Sequence, residues 1–209
     1  MALAKNGVNG VFSGKVGSII AYELNGQNVI RSVGRRTRPY TKLELLNQAK
    51  MKVVSEFLSP IKPYINYGFK REAPKGSRIG AFQLAQSYTR KNAVELDADD
   101  TPYINPGKVL ISKGPLVPPH NCLAERDGNR LILRWDFIGG GMDDRLMVLL
   151  YDADLLRIFR EVGATRKDQL DVWDVDALKY ADRPVHVYAA FRDTLFDQIS
   201  DSVYCGTIE

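Results

Sequence analysis

The chain has 209 residues, 44% hydrophobic and 26% charged, enough length and apolar content for one large or two small soluble domains. No run approaches the roughly 18 consecutive apolar residues of a membrane span, and the opening MALAKNGVNG lacks the apolar stretch of a secretory signal, so neither a membrane protein nor general secretory export is expected. The formal net charge of +4 hides a division: residues 1–93 carry 16 Lys+Arg against 4 Asp+Glu, and residues 94–209 carry 13 against 21.

The first segment, GVNGVFSGKVGS at residues 7–18, nearly spells a phosphate-binding loop. Such a loop needs G-x-x-x-x-G-K-[ST], and here Asn9 replaces the first glycine and Val16 the metal-binding hydroxyl. Gly7, Gly10, Gly14 and Gly17 are read instead as turns leading into a β-hairpin. Asn25-Gly26 between two β-rich runs is the signature of a two-residue type I′ turn, which sets Leu24 opposite Gln27, Tyr22 opposite Val29 and Ile20 opposite Arg31. Ile20, Tyr22, Leu24, Val29 and Val33 then share a face expected to pack inward.

A basic connector, RRTRPY, leads to Thr41 and Glu44, a capping box that opens a helix over 41–60. Its apolar stripe is Leu46, Ala49, Val53 and Phe57, and Pro60 ends it. A Pro- and Tyr-containing bend over 60–77 precedes a second helix over 78–96, with Ala81, Leu84, Ala85 and Tyr88 on its inner stripe. Prolines 102, 106, 115, 118 and 119 then crowd a short interval that holds one expected strand, 108–112, and the domain boundary is placed at 117/118. Beyond it, seven short β-like runs recur at 121–125, 130–137, 145–151, 155–161, 169–175, 185–191 and 202–208, the spacing of a β-sandwich. The expected fold class is α+β: a basic hairpin-plus-helix domain over 1–117, then a sandwich over 118–209.

Two resemblances add to this reading. RLILRWDF, with Leu131, Leu133 and Trp135 alternating, resembles the second strand of a fibronectin type III or related immunoglobulin-like domain, in which the tryptophan anchors the core. RPVHVYAAF and SDSVYCGTI resemble its last two strands, which puts Tyr188 and Ala190 on one face and Val187 and Ala189 on the other. GKVGSIIAYELNGQNVIRS is similar to the start of an uncharacterised family of Bacteroidota and their phages, a resemblance that carries no assigned activity.

Residues with chemistry are sparse. His120 lies in a loop and His186 in a strand, neither beside a nucleophile elbow. Cys122 and Cys205 have no metal-ligand spacing and read as two buried thiols, with a single disulfide as the alternative. Asp97, Asp99 and Asp100 fail the calcium-loop pattern at Thr101, Pro102 and Lys108, and Asp143 and Asp144 follow a glycine-rich loop. No catalytic, cofactor or metal site is expected. The candidate partner-binding residues are Arg35, Arg36 and Arg38 in the connector, and Lys70 and Arg71 in the bend, with Lys75, Arg78, Arg90 and Lys91 as further basic positions. A basic half joined to an acidic half allows copies to meet head to tail. The expectation is a non-enzymatic structural or assembly protein, a component of a virion or phage-like particle, in the virion or cytoplasm, binding its own copies or other structural proteins. The alternative is a nucleic-acid-binding protein that uses the basic half, with Tyr40, Tyr64, Tyr67 and Phe69 as stacking platforms. No membrane, cofactor or small-molecule substrate is expected.

Overall fold

The computed structural model describes residues 3–4, 12–24, 26–74, 79–152, 156–180 and 183–209. Its first unit is a four-stranded antiparallel ribbon of β1 (Leu3–Ala4), β2 (Phe12–Val16), β3 (Ile19–Leu24) and β4 (Gln27–Ser32), in that order. The β3–β4 register is the expected one, with Leu24 opposite Gln27, Tyr22 opposite Val29 and Ile20 opposite Arg31. Gly26 takes a φ of +77°, the left-handed conformation the turn demands and a β-branched side chain resists. Asn25, Gly7 and Gly10 lie outside the described residues. The expected inward face does not reach a core. Val29 is buried, but Ile20, Tyr22 and Leu24 are only half-buried, and no described ribbon side chain joins the three apolar clusters of the molecule.

Helix α1 (Lys42–Leu58) starts at the capping box: the Thr41 hydroxyl accepts from the Glu44 N–H, and the Glu44 carboxylate accepts from the Thr41 N–H. The stripe that reaches the core is turned by one residue from the expected one. Val54 and Leu58 are fully buried while Val53 and Phe57 are half-buried. The segment read as a bend is helical: a 3-10 turn (Ser59–Ile61) runs into α2 (Lys62–Gly68), with Pro60 and Pro63 inside first turns, where a missing N–H costs nothing. Helix α3 is Ala81–Asn92. It stops short of the expected end because residues 94–104 form a hairpin of β5 (Val94–Leu96) and β6 (Pro102–Ile104). The aspartates expected in a linker make its turn, and the Asp97 carboxylate accepts from the N–H groups of Asp99 and Thr101. The strand expected over 108–112 is absent: a 3-10 turn occupies Pro106–Lys108 and the following residues run without strand pairing.

All seven strands expected after residue 118 are present: β7 (His120–Asp127), β8 (Arg130–Asp136), β9 (Arg145–Tyr151), β10 (Arg157–Arg160), β11 (Leu170–Asp174), β12 (Val185–Asp193) and β14 (Val203–Ile208). A two-residue β13 (Gln198–Ile199) pairs with the end of β12. One sheet runs β11-β8-β7; the other runs β10-β9-β12, with β14 on the far side of β12. Between them Leu131, Leu133, Trp135, Leu146, Val148, Leu150, Val185, Val187, Ala189 and Phe191 form an apolar core. The Trp135 ring meets Phe191 edge-on at 5.8 Å between centroids, and its indole N–H donates to the Arg166 carbonyl at 2.9 Å.

The helices lie on the outer face of the larger sheet. Val54, Leu58, Ile61, Ile65, Phe69 and Ala85 pack with Leu149, Tyr151 and Tyr188, which point away from the sandwich core. The Tyr151 hydroxyl donates to the Phe57 carbonyl at 3.0 Å, and Tyr188 donates to the Pro106 carbonyl at 3.0 Å. Gly68 lets the end of α2 approach residues 111–112, since a β-carbon there would strike the Ile111 carbonyl oxygen. The expected boundary at 117/118 stands just ahead of β7, but the packing does not divide there: helices before it and strands after it share one apolar cluster.

Candidate functional site

The connector arginines have three different surroundings. Arg36 is held within the chain: its guanidinium donates to the carbonyls of Arg38 and Pro39, pairs with Glu44 at 2.7 Å and lies 3.8 Å over the Tyr40 ring. The Glu44 carboxyl is held below its ordinary value of 4.5, first by the Thr41 N–H and then by Arg36. Arg38 reaches the same carboxylate at 3.5 Å with most of its side chain in solvent. Arg35 is exposed, with no hydrogen-bond or ion-pair partner among the described residues.

Lys70 and Arg71 form a second group, at the end of α2. Both approach Asp197, at 3.8 Å and 3.7 Å, and Arg71 also donates to the Phe196 carbonyl at 2.6 Å. Arg192 pairs with Asp197 and with Glu161, and Glu161 accepts from the Tyr67 hydroxyl. These contacts tie α2 to the β12–β13 hairpin, at whose tip Leu195 and Phe196 are exposed. No hydrogen bond or ion pair among the described residues joins this group to the connector arginines. Lys75 and Arg78 lie outside the described residues.

A third basic surface was only partly visible beforehand. Asn47, Lys50 and Met51 of α1 face Gln83, Gln86, Ser87, Arg90 and Lys91 of α3 across an open groove, in which Arg90 donates to the Asn47 side chain at 3.4 Å. Three cations and no carboxylate line it. Arg90 and Lys91 stand out in the sequence, but Lys50 does not. The available signal was the i, i+3, i+4 spacing of 47, 50 and 51 on α1, matched by 83, 86, 87 and 90 on α3.

The remaining polar groups have structural partners. Arg166 is 1% exposed, pairs with Asp144 at 2.9 Å, donates to the Val117 carbonyl and stacks on Phe191 at 3.9 Å. Asp144 is therefore a core ion-pair partner, and its neighbour Asp143 pairs with Lys167 on the surface. His186 Nδ1 meets the Tyr204 hydroxyl at 3.0 Å, and burial lowers its pKa. His120 is half-buried in β7, and the Cys122 sulfur faces Cys205, 2.7 Å away. No group of three or more His, Cys, Asp or Glu side chains able to hold a metal ion occurs among the described residues. An apolar cavity of about 20 Å³ lies between α2 and the larger sheet, lined by Tyr64, Tyr67, Met147, Phe159 and Tyr188, with room for about one water. No helix among the described residues is long and apolar enough to cross a membrane.

Fold and surface together define a mixed α+β protein whose distinctive groups are basic and surface-borne. Residues 11–206 match the model of a family described as "Family of unknown function (DUF6266)", and the chain belongs to that family. No curated protein and no solved structure matches the chain.

Proposed function

We propose that the protein is a non-enzymatic assembly protein that docks head to tail on further copies of itself, as a component of a virion or phage-like particle. The N-terminal ribbon carries this reading. It exposes Val16, Ile19 and Ile30 while none of its described side chains shares a core with the rest of the chain. Exposed apolar groups gathered on one element are the mark of an interaction surface.

The C-terminal half supplies a complementary surface. Its three-stranded sheet faces outward with Leu123, Leu170 and Val172 exposed, flanked by Glu125, Asp127 and Asp174, while Arg130 and Arg134 lie on the central strand and Arg130 pairs with Asp174 at 3.0 Å. A basic ribbon on one copy fits this partly apolar face and its edge carboxylates Glu125 and Asp127 on the next, a heterologous contact that repeats. We read this half as an immunoglobulin-like, fibronectin type III-like module. Three strands facing the four longer strands of the five-stranded sheet in the order described, with Trp135 buried on the second strand of the unit, support that reading.

The groove between α1 and α3 favours a second reading, in which Lys50, Arg90 and Lys91 hold a nucleic-acid backbone. Sedimentation of the full chain at low and high salt, beside fluorescence anisotropy with a labelled oligonucleotide, tests both. Assembly predicts oligomers that weaken with salt and that Ile30→Glu abolishes. A monomer at all concentrations that binds oligonucleotide with a steep salt dependence overturns it in favour of the second reading.

A further inference from the structure

We infer that Cys122 and Cys205 are a disulfide-forming pair, a redox modification site that staples the first sandwich strand to the last when the chain meets a small-molecule disulfide such as oxidised glutathione. The two sulfurs stand 2.7 Å apart as free thiols, within about 0.7 Å of bonding distance. They come from opposite sheets, Cys122 from β7 and Cys205 from β14, which lies alongside β7 at the open edge of the sandwich. Cys122 reaches this position because β7 is irregular between His120 and Leu123, with Asn121 at a φ of +48°. Both side chains are buried, and 83 positions separate them in sequence.

The chemistry balances with the oxidant alone. One cysteine thiolate attacks the oxidant's sulfur–sulfur bond, giving a mixed disulfide and one glutathione thiolate. The second cysteine thiolate then attacks the protein sulfur of that mixed disulfide, closing the protein disulfide and releasing the second glutathione. The protein loses two electrons and two protons, and the electrons end on the two glutathiones. The hydrogen bond to Cys122, and after it burial, push the Cys205 thiol well above its ordinary range, so few thiolates form in the closed fold. Closure therefore proceeds during folding or through opening of the β7–β14 edge. The bond restricts the unfolded chain more than the folded one, and the oxidised form resists denaturant better.

The test is refolding of the full chain from urea with oxidised glutathione, followed by intact mass and thiol titration in denaturant. The expected result is a monomer about 2 Da lighter, with no titratable thiol and a urea midpoint that rises and returns on adding dithiothreitol. Cys122→Ala and Cys205→Ala, checked for folding by circular dichroism, should each show no such loss and no dithiothreitol-sensitive midpoint. A folded wild-type chain that keeps both thiols, or gains only glutathione adducts or intermolecular bonds, overturns the inference. So does a closed disulfide that leaves the midpoint unchanged.

Discussion

Arg166 and Asp144 form an ion pair closed to solvent, with guanidinium nitrogen and carboxylate oxygen 2.9 Å apart and side chains 1% and 7% exposed. The same guanidinium holds the Val117 carbonyl at 2.7 Å, so the pair anchors the segment entering the sandwich as well as the loop after β8. Removing the carboxylate leaves a buried cation without compensation, a change that costs about 3–5 kcal/mol. Asp144→Ala should lower the urea midpoint accordingly. The double variant with Arg166→Met should lose less than the two single losses combined, and strictly additive losses in a double-mutant cycle would show that the pair does not act as a unit.

Trp135 is the largest buried side chain between the sheets and is 3% exposed. Trp135→Ala should cost about 3–5 kcal/mol in equilibrium unfolding. In Trp173→Phe, which leaves Trp135 as the sole tryptophan, iodide should quench native fluorescence weakly. Ready quenching there would contradict the burial.

The connector arginines separate partner binding from internal order. Arg35→Glu removes a cation with no described internal partner and should weaken salt-sensitive self-association with thermal stability unchanged. Arg36→Glu sets a second carboxylate beside Glu44 and breaks the contacts to Pro39 and Tyr40, so it should also fray the start of α1. Sedimentation and far-ultraviolet circular dichroism on both variants make the distinction. Equal effects on assembly and helicity in the two variants would refute it.

Glu95 gives a pH dependence of known sign. Lys108 first, then Tyr103 and Asn105, bond its carboxylate and lower its pKa from 4.5 to about 2. The folded value lies below the unfolded one, so its contribution is full above about 4.5 and is lost as pH falls toward 2. Carbon-detected NMR titration of Glu95 should find a midpoint near 2, and Glu95→Gln should flatten the fall in stability across that window. A midpoint above 4 is the contrary outcome.

The strands of the C-terminal half were legible because alternation of two is a strong signal when one face of a strand meets a core. Leu131, Leu133 and Trp135 declared their face, and the expected 145–151 strand matches β9 at both ends. The hairpin register followed from the chemistry of one turn, and the start of α1 from Thr41 and Glu44. What failed did so where tertiary contacts outweigh local preference. Pro60 and Pro63 read as a bend because prolines break helix interiors, yet each sits in a first turn, and Ile61 and Ile65 bury against the sheet. The α1 stripe was displaced by one residue because over its last turns both rows are apolar, Val53 and Phe57 beside Val54 and Leu58, and only the sheet beneath selects between them. Of the candidate site, charge type was readable and pairing was not. Asp197, which engages both Lys70 and Arg71, lies more than a hundred residues further along the chain, beyond the reach of any local pattern.

Strand β12 sends Val187 and Ala189 toward one set of neighbours and Tyr188 and Ala190 toward another. The helical layer therefore cannot melt without exposing one side of a strand whose other side holds the sandwich. Calorimetry should register residues 42–209 as one transition, its van't Hoff and calorimetric enthalpies equal, and the ribbon should add a separate, smaller heat at lower temperature. Heat would thus free the ribbon while the body that carries it remains intact.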